Sequence, residues 1–348
     1  MMRVRDYLKP WIPTLEKYVP GEYREGYIKL ASNESNYGPS PKVVEAIREN
    51  AARSHVYPHL DDVVRRKCAK YAGVDADCVV VGNGSDELME LVLKTFDGGV
   101  AGFKPSYASY RLFPMMLGMQ YSEVNLGRDF SFPVDEFIKK TKKSSICFIG
   151  SPNNPTGNVV GEEDLLKVLK EDKIVVLDEA YFEFHGKSLV RLTREYENLI
   201  VLRTLSKAFG LGGLRVGYAI GDPETMGYVS KLKPPFSIAS ISEVAALAAL
   251  DDLGYMRGCV SKISRDRGRL YKALDSKFRA YPSRANFVLA DVSPMTSQEF
   301  FNRMLEQKII VRTFGKISGF EGDYVRVAVG TEKQNKKLIE ALDKIRVR

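Results

Sequence analysis

IVVLDEAY (174–181) and LIVLRTLSKAF (199–209) decide the fold. Each begins as an unbroken run of apolar, mostly branched residues and ends in polar ones. A strand with one solvated face would alternate apolar and polar positions. These runs do not, so both faces must be covered. Such strands belong to a parallel sheet held between layers of helix. Moving outward, CVVVGNG (78–84) and SSICFIGSPNNPTG (144–157) repeat the theme of a short apolar strand running into a turn. Amphipathic stretches lie between them, SDELMELVLKTF (85–96) and EEDLLKVLKE (162–171), and a helix is expected over 41–53, opened by Pro39-Ser40-Pro41. The alternation predicts an α/β fold whose large domain is a mostly parallel sheet flanked by helices.

After SISEVAALAALDD (240–252) the texture changes. A long charged helix is expected from about Tyr255 to Phe278. Strands ANFVLADV (285–292), IIVRTF (309–314) and YVRVAVG (324–330) follow, with a helix SQEFFNRMLEQK (297–308) among them and another at the end. This predicts a smaller α+β domain of antiparallel strands and helices. The expected division is an arm over 1–36 that contributes to the small domain, a large domain over 37–245 and a small domain over 246–348.

Hydrophobic residues make up 44% of the 348 and charged residues 28%, which leaves enough apolar material for a sizeable core. The net charge of +8 favours anionic partners. The basic runs are short and interleaved with acids, so they read as solvated faces and nucleic acid is not expected. Cys68, Cys78, Cys147 and Cys259 form no CxxC pair, which argues against a disulfide framework or a metal site. No apolar run approaches the roughly 20 residues that span a bilayer. The opening MMRVRDYLKPWIP lacks the apolar core of a secretory signal, so the expected location is cytoplasmic.

In such sheets functional groups gather where strands run into loops. Thr204-Leu205-Ser206-Lys207 places a lysine just beyond a buried strand, and Arg215 follows a glycine-rich stretch. An amine there can condense with an aldehyde, while Thr204, Ser206 and Arg215 hold a phosphate beside it. Gly82-Asn83-Gly84-Ser85-Asp86 opens a helix, whose free amides favour an anion, although Ser85 as a plain cap is equally consistent. Asp178 ends an apolar strand and needs a cationic partner; a protonated pyridine nitrogen and a structural pair with Arg203 or Arg215 both qualify. Asn153-Asn154 between prolines forms a rigid turn that can present an amide. Neither Gly210-x-Gly212 nor Gly82-x-Gly84 completes a dinucleotide fingerprint, which weakens a nicotinamide dehydrogenase as a rival. A non-catalytic binding protein on the same scaffold is the rival from another class.

Together these motifs resemble the fold-type I pyridoxal-phosphate enzymes, specifically the aminotransferases related to histidinol-phosphate aminotransferase, over about Leu8 to Gly330. The resemblance implies an aspartate aminotransferase-like fold and pyridoxal 5'-phosphate as cofactor. It implies that Lys207 carries the cofactor and shuttles the proton, that Asp178 pairs with the ring nitrogen, and that Tyr181 and Asn154 bond the ring's phenolic oxygen. Tyr107 matches the stacking aromatic, and Gly84, Ser85, Asp86, Thr204, Ser206 and Arg215 match the phosphate cup. Tyr57 is similar to a tyrosine that reaches the neighbouring subunit's phosphate, which implies a homodimer with shared active sites. Arg326 and Arg312 match substrate anchors. Either Leu8-Lys9-Pro10-Trp11 or Lys17-Tyr18-Val19-Pro20-Gly21 matches the substrate-contacting arm, with Tyr18 preferred. The NENP-like turn is Asn33-Glu34-Ser35-Asn36 here, and Phe236-Ser237 stands where tyrosine and asparagine are frequent. The implied reaction is a two-stage amino transfer from L-histidinol phosphate to 2-oxoglutarate. Alternatives are an aromatic amino acid aminotransferase and a threonine-phosphate decarboxylase.

Overall fold

The computed structural model describes residues 3–15 and 21–345. In chain order the strands are β1 (Ile28–Lys29), β2 (Val79–Gly82), β3 (Gly99–Lys104), β4 (Tyr121–Asn125), β5 (Ser144–Gly150), β6 (Ile174–Asp178), β7 (Leu199–Thr204), β8 (Gly217–Ile220), β9 (Arg279–Tyr281), β10 (Phe287–Asp291), β11 (Ile309–Ile310), β12 (Arg312–Gly315) and β13 (Tyr324–Ala328). Seven of them form the large sheet, in the order β2-β8-β7-β6-β5-β3-β4. It is parallel from β7 through β4, and β8 runs antiparallel to both β7 and β2.

Two apolar clusters show why the central strands are continuously hydrophobic. Cys147, Ile149, Val175, Leu177 and Val201 belong to one cluster, and Ile146, Phe148, Val176, Ile200 and Leu202 to the other. Alternate residues of each strand therefore enter opposite layers, and each fully buried side chain contributes about 1.5–3 kcal/mol. Ser40 caps the helix Pro41–Asn50 by accepting from Lys42 N, with Pro41 at the first turn. That helix stops at Asn50, short of the expected end, and continues as a 3-10 turn over Ala51–Arg53. The long helix runs Leu253–Asp275.

Beyond it lies an antiparallel sheet in the order β12-β13-β10-β9. The N-terminal segment is bound to these C-terminal strands. β1 pairs in parallel with β11, Leu30 N donates to Ile310 O at 2.7 Å, and Ala328 N donates to Leu30 O at 3.0 Å. The segment Ala31–Asn33 is thereby delivered to the ends of β6 and β7. In register, Gly150 lies beside Asp178 and Asp178 beside Leu202, so the polar residues after β5, β6 and β7 emerge side by side. Among the described residues no helix is long and apolar enough to cross a membrane, and the four cysteines are free thiols.

Candidate active site

A cavity of about 210 Å³ opens at those strand ends. Of the residues singled out in the sequence it is lined by Ser85, Asp86, Tyr107, Asn154, Asp178, Tyr181, Thr204, Ser206, Lys207, Arg215, Arg312 and Arg326. Residues from the ends of β2, β3, β5, β6 and β7 and from the small sheet thus meet in one place, where groups distant in sequence gather in such sheets.

Lys207 follows β7 directly. Its Nζ donates to Ser32 O at 3.2 Å and lies 5.8 Å from the centre of the Tyr181 ring. Asp178 is 6% exposed. Its Oδ2 accepts from the Tyr110 hydroxyl at 2.7 Å, and its Oδ1 from Ala180 N at 2.9 Å. Burial pushes its carboxyl up to about 6, opposed by the Tyr110 and Ala180 bonds and by the charge of Lys207. The alternative pairing of Asp178 with Arg203 or Arg215 does not occur: Arg203 binds Glu179 at 3.0 Å, and Arg215 binds Asp86 at 3.0 Å.

The phosphate-type donors interlock. Helix Gly84–Thr95 begins after Asn83, so Ser85 is not its cap and stands in the first turn. Gly84 has φ 78°, and a Cβ there would collide with the Arg215 guanidinium. A Cβ on Gly217 would come within 2.6 Å of Ser85 N. The glycines therefore let the guanidinium and the helix start approach each other. Arg215 Nη1 reaches Ser206 Oγ at 3.4 Å, Thr204 Oγ1 donates to Ser206 Oγ at 2.9 Å, and Asp86 also accepts from the Tyr107 hydroxyl at 3.1 Å. Hydroxyls, a guanidinium and free helix amides make a donor set that fits a phosphate. A buried carboxylate without an ion-pair partner among the described residues, a short distance along the cavity wall, fits a protonated ring nitrogen.

The remaining walls carry cations. Arg312 and Arg326 are direct cross-strand partners on β12 and β13. Arg326 donates to Asn154 Oδ1 and, at 2.6 Å, to Ala31 O. Tyr181 is buried, its hydroxyl accepts from Asn33 Nδ2 at 3.0 Å, and its ring packs edge-on against Phe287. One expected residue lies elsewhere. Tyr57 is 75% exposed and stacks on Phe236, outside the cavity of its own chain. Tyr18 falls outside the described residues. Trp11, from the rival arm motif, donates to Met116 O at 3.1 Å, and it does not line the cavity.

Sequence reasoning gave no site role to Tyr110, Asn33 or Ser32. Tyr110 carried a signal: it stands three residues after Tyr107, and the two rings meet edge to face at 5.6 Å. The other two sit in a polar turn with no periodicity to mark them.

Fold and site together fit an enzyme whose cavity holds a phosphorylated cofactor beside a lysine. The profile of the family described as aminotransferase class I and II matches residues 25–342, and the chain belongs to that family. It is a pyridoxal-phosphate-dependent aminotransferase, as the resemblance implied. It is 34% identical to the histidinol-phosphate aminotransferase of Methanocaldococcus jannaschii, over 99% of this chain and 97% of that protein. The solved histidinol-phosphate aminotransferase of Clostridium acetobutylicum is 27% identical, with a TM-score of 0.84, covering 90% of this chain and 98% of that one. The enzyme of Sinorhizobium meliloti, solved in complex with pyridoxal-5'-phosphate, has a TM-score of 0.88 at 24% identity over 97% of this chain and 96% of its own, and speaks for the fold.

Proposed function

We propose that this chain moves the amino group of L-histidinol phosphate to 2-oxoglutarate, yielding imidazole acetol phosphate and glutamate in histidine biosynthesis. The observation that carries the reading is the register of β12 and β13, which sets Arg312 against Arg326 on the wall of the cavity that holds Lys207. Two guanidinium groups side by side suit a substrate with a phosphate dianion, since each can donate two parallel hydrogen bonds. The extensive similarity to the Methanocaldococcus jannaschii enzyme supports the same substrate.

In this reading Ser85, Asp86, Thr204, Ser206, Arg215 and the turn at Gly84 hold the cofactor phosphate. Tyr107 stacks on the ring, Asn154 and Tyr181 donate to its phenolic oxygen, and Asp178 keeps its nitrogen protonated. When bound, pyridoxal phosphate supplies an aldehyde for amines and a ring that disperses the electrons left on a deprotonated carbon. Lys207 carries the cofactor; its amine, freed by the incoming donor, takes the proton from the donor's α-carbon and returns one. Arg326, which already bridges Asn154 and Ala31, orients the substrate's anionic end together with Arg312, and Tyr18 is carried as a further substrate contact.

A homodimer with shared active sites belongs to the same proposal. Tyr57 and Phe236 form an exposed aromatic stack, and Phe236 holds φ 58°, a costly angle for a bulky residue. A second copy covering that stack would bring Tyr57 to its cofactor phosphate. The division into arm, large domain and small domain at 36 and 245, and a cytoplasmic location, complete the reading.

The test is a half-reaction screen. L-histidinol phosphate added to the holo protein should bleach the cofactor's absorbance at micromolar to millimolar concentration, and 2-oxoglutarate should restore it with glutamate formed. Equal or better response to tyrosine or phenylalanine, or release of carbon dioxide, would reject the substrate assignment.

A further inference from the structure

We infer that Asn33 is a positioning residue that aims the Tyr181 hydroxyl proton into the active-site cavity. The inference rests on the reading of Tyr181 as a donor to the cofactor's phenolic oxygen.

A tyrosine hydroxyl has one proton to give and lone pairs to receive others, whereas an amide N–H only gives. Asn33 Nδ2 donates to the Tyr181 oxygen at 3.0 Å. The Tyr181 proton is therefore free to go elsewhere, and among the described residues no acceptor takes it. Tyr181 lines the cavity, so an acceptor placed there would receive it. If residue 33 were an acceptor, the proton would point back at it and away from the cavity. Lys207 Nζ lies 5.8 Å from the centre of the Tyr181 ring, the Tyr110 phenol interacts with Tyr181 electrostatically, and Phe287, packed edge-on against the ring, is apolar.

Asn33 is held in place at visible cost. It is 1% exposed and has φ 55°, the left-handed region that asparagine tolerates better than most residues but glycine tolerates better still. Its Oδ1 is buried without a hydrogen-bond partner. Glycine at this position would avoid both costs, but it would not donate to Tyr181. The backbone around it is clamped from both sheets: Ala31 O by Arg326, Ser32 O by Lys207 and Asn33 O by Asn286 Nδ2 at 3.0 Å. Strain kept in a buried, over-determined segment beside a site points to a task there.

The test compares substitutions at 33 in two backgrounds of the full-length holo protein, reading the pH midpoint of the bound cofactor's absorbance. Asn33→Asp keeps shape and backbone angle and exchanges the donor for an acceptor. A phenolic oxygen that loses a hydrogen bond becomes more basic, so the midpoint should rise by about one pH unit, the equivalent of one bond. Tyr181→Phe should raise it at least as much, and adding Asn33→Asp to Tyr181→Phe should raise it no further. Asn33→Gly keeps the angle without the amide and should weaken binding of pyridoxal phosphate to the cofactor-free protein about fivefold, measured by fluorescence. An equal rise from Asn33→Asp with and without the Tyr181 hydroxyl would mean a simple charge effect and overturn the inference. So would no rise from Asn33→Asp where Tyr181→Phe gives one. If Tyr181→Phe itself leaves the midpoint unmoved, the underlying reading of Tyr181 fails, and the role of Asn33 fails with it.

Discussion

Asp178 and Glu179 are consecutive, both are carboxylates and both are buried, yet their surroundings differ in kind. Glu179, 2% exposed, accepts from Arg203 Nε at 3.1 Å and Nη2 at 3.0 Å, from Ser188 Oγ and from Leu189 N at 2.8 Å. Arg203 is itself covered by the Phe182 ring, 3.9 Å away. That carboxylate is complete. Asp178 has two hydrogen bonds and no ion pair among the described residues, and its carboxyl is pushed up to about 6. The pleat of an extended chain sends neighbouring side chains to opposite faces, and here one face stabilises the fold while the other is left short of a cation. The difference teaches how to tell a structural acid from one that waits for a ligand: the second is buried, hydrogen-bonded and electrostatically incomplete.

Substitution should separate the two acids. Asp178→Ala should lower the rate of amino transfer by about 10²–10⁴-fold, the usual range for a group governing proton transfer, with folding retained. A stopped-flow half-reaction at near wild-type rate would break the contrast. Glu179→Ala leaves Arg203 buried without its partner and should cost about 3–5 kcal/mol in denaturant unfolding. Little loss of stability would show that the pair is dispensable.

A finer prediction concerns pH. The native Asp178 carboxyl, at about 6, lies above its unfolded value of 3.8. Between those values the native state holds more protons than the unfolded state, so stability of the cofactor-free protein should fall as pH rises through the window. About two units correspond to ~3 kcal/mol. Asp178→Asn should remove that part of the slope. Tyr110→Phe deletes a bond that favours the ionised form, so the upper end of the window should move up by about one unit, which thermal melts at stepped pH would detect. A downward move would contradict the role given to Tyr110.

What could be read from the sequence follows from which forces are local. β6 and β7 were legible because burial on both faces leaves an unbroken apolar run. β3 contains Gly99 and Gly102, and β4 (YSEVN) is an edge strand with mostly exposed side chains. Neither yields a run or a clean alternation, and neither was anticipated. Ser85, Asp86, Asn154, Asp178, Tyr181 and Lys207 were legible because they follow a recognisable strand or open a helix, whereas Arg312 and Arg326 lie within strands. The bond from Tyr110 to Asp178 was not legible, since it spans 68 residues. Arg203 was considered for Asp178, but strand alternation hands it to Glu179. Tyr57 stands outside its own chain's cavity, exposed and stacked on Phe236.

The central claim is that Lys207 carries the cofactor covalently, and borohydride treatment of the holo protein followed by peptide mass spectrometry tests it most directly. A reduced pyridoxyl phosphate adduct should be confined to the peptide containing Lys207 and absent from Lys207→Ala. Labelling at another lysine, or equal labelling of Lys207→Ala, would contradict it.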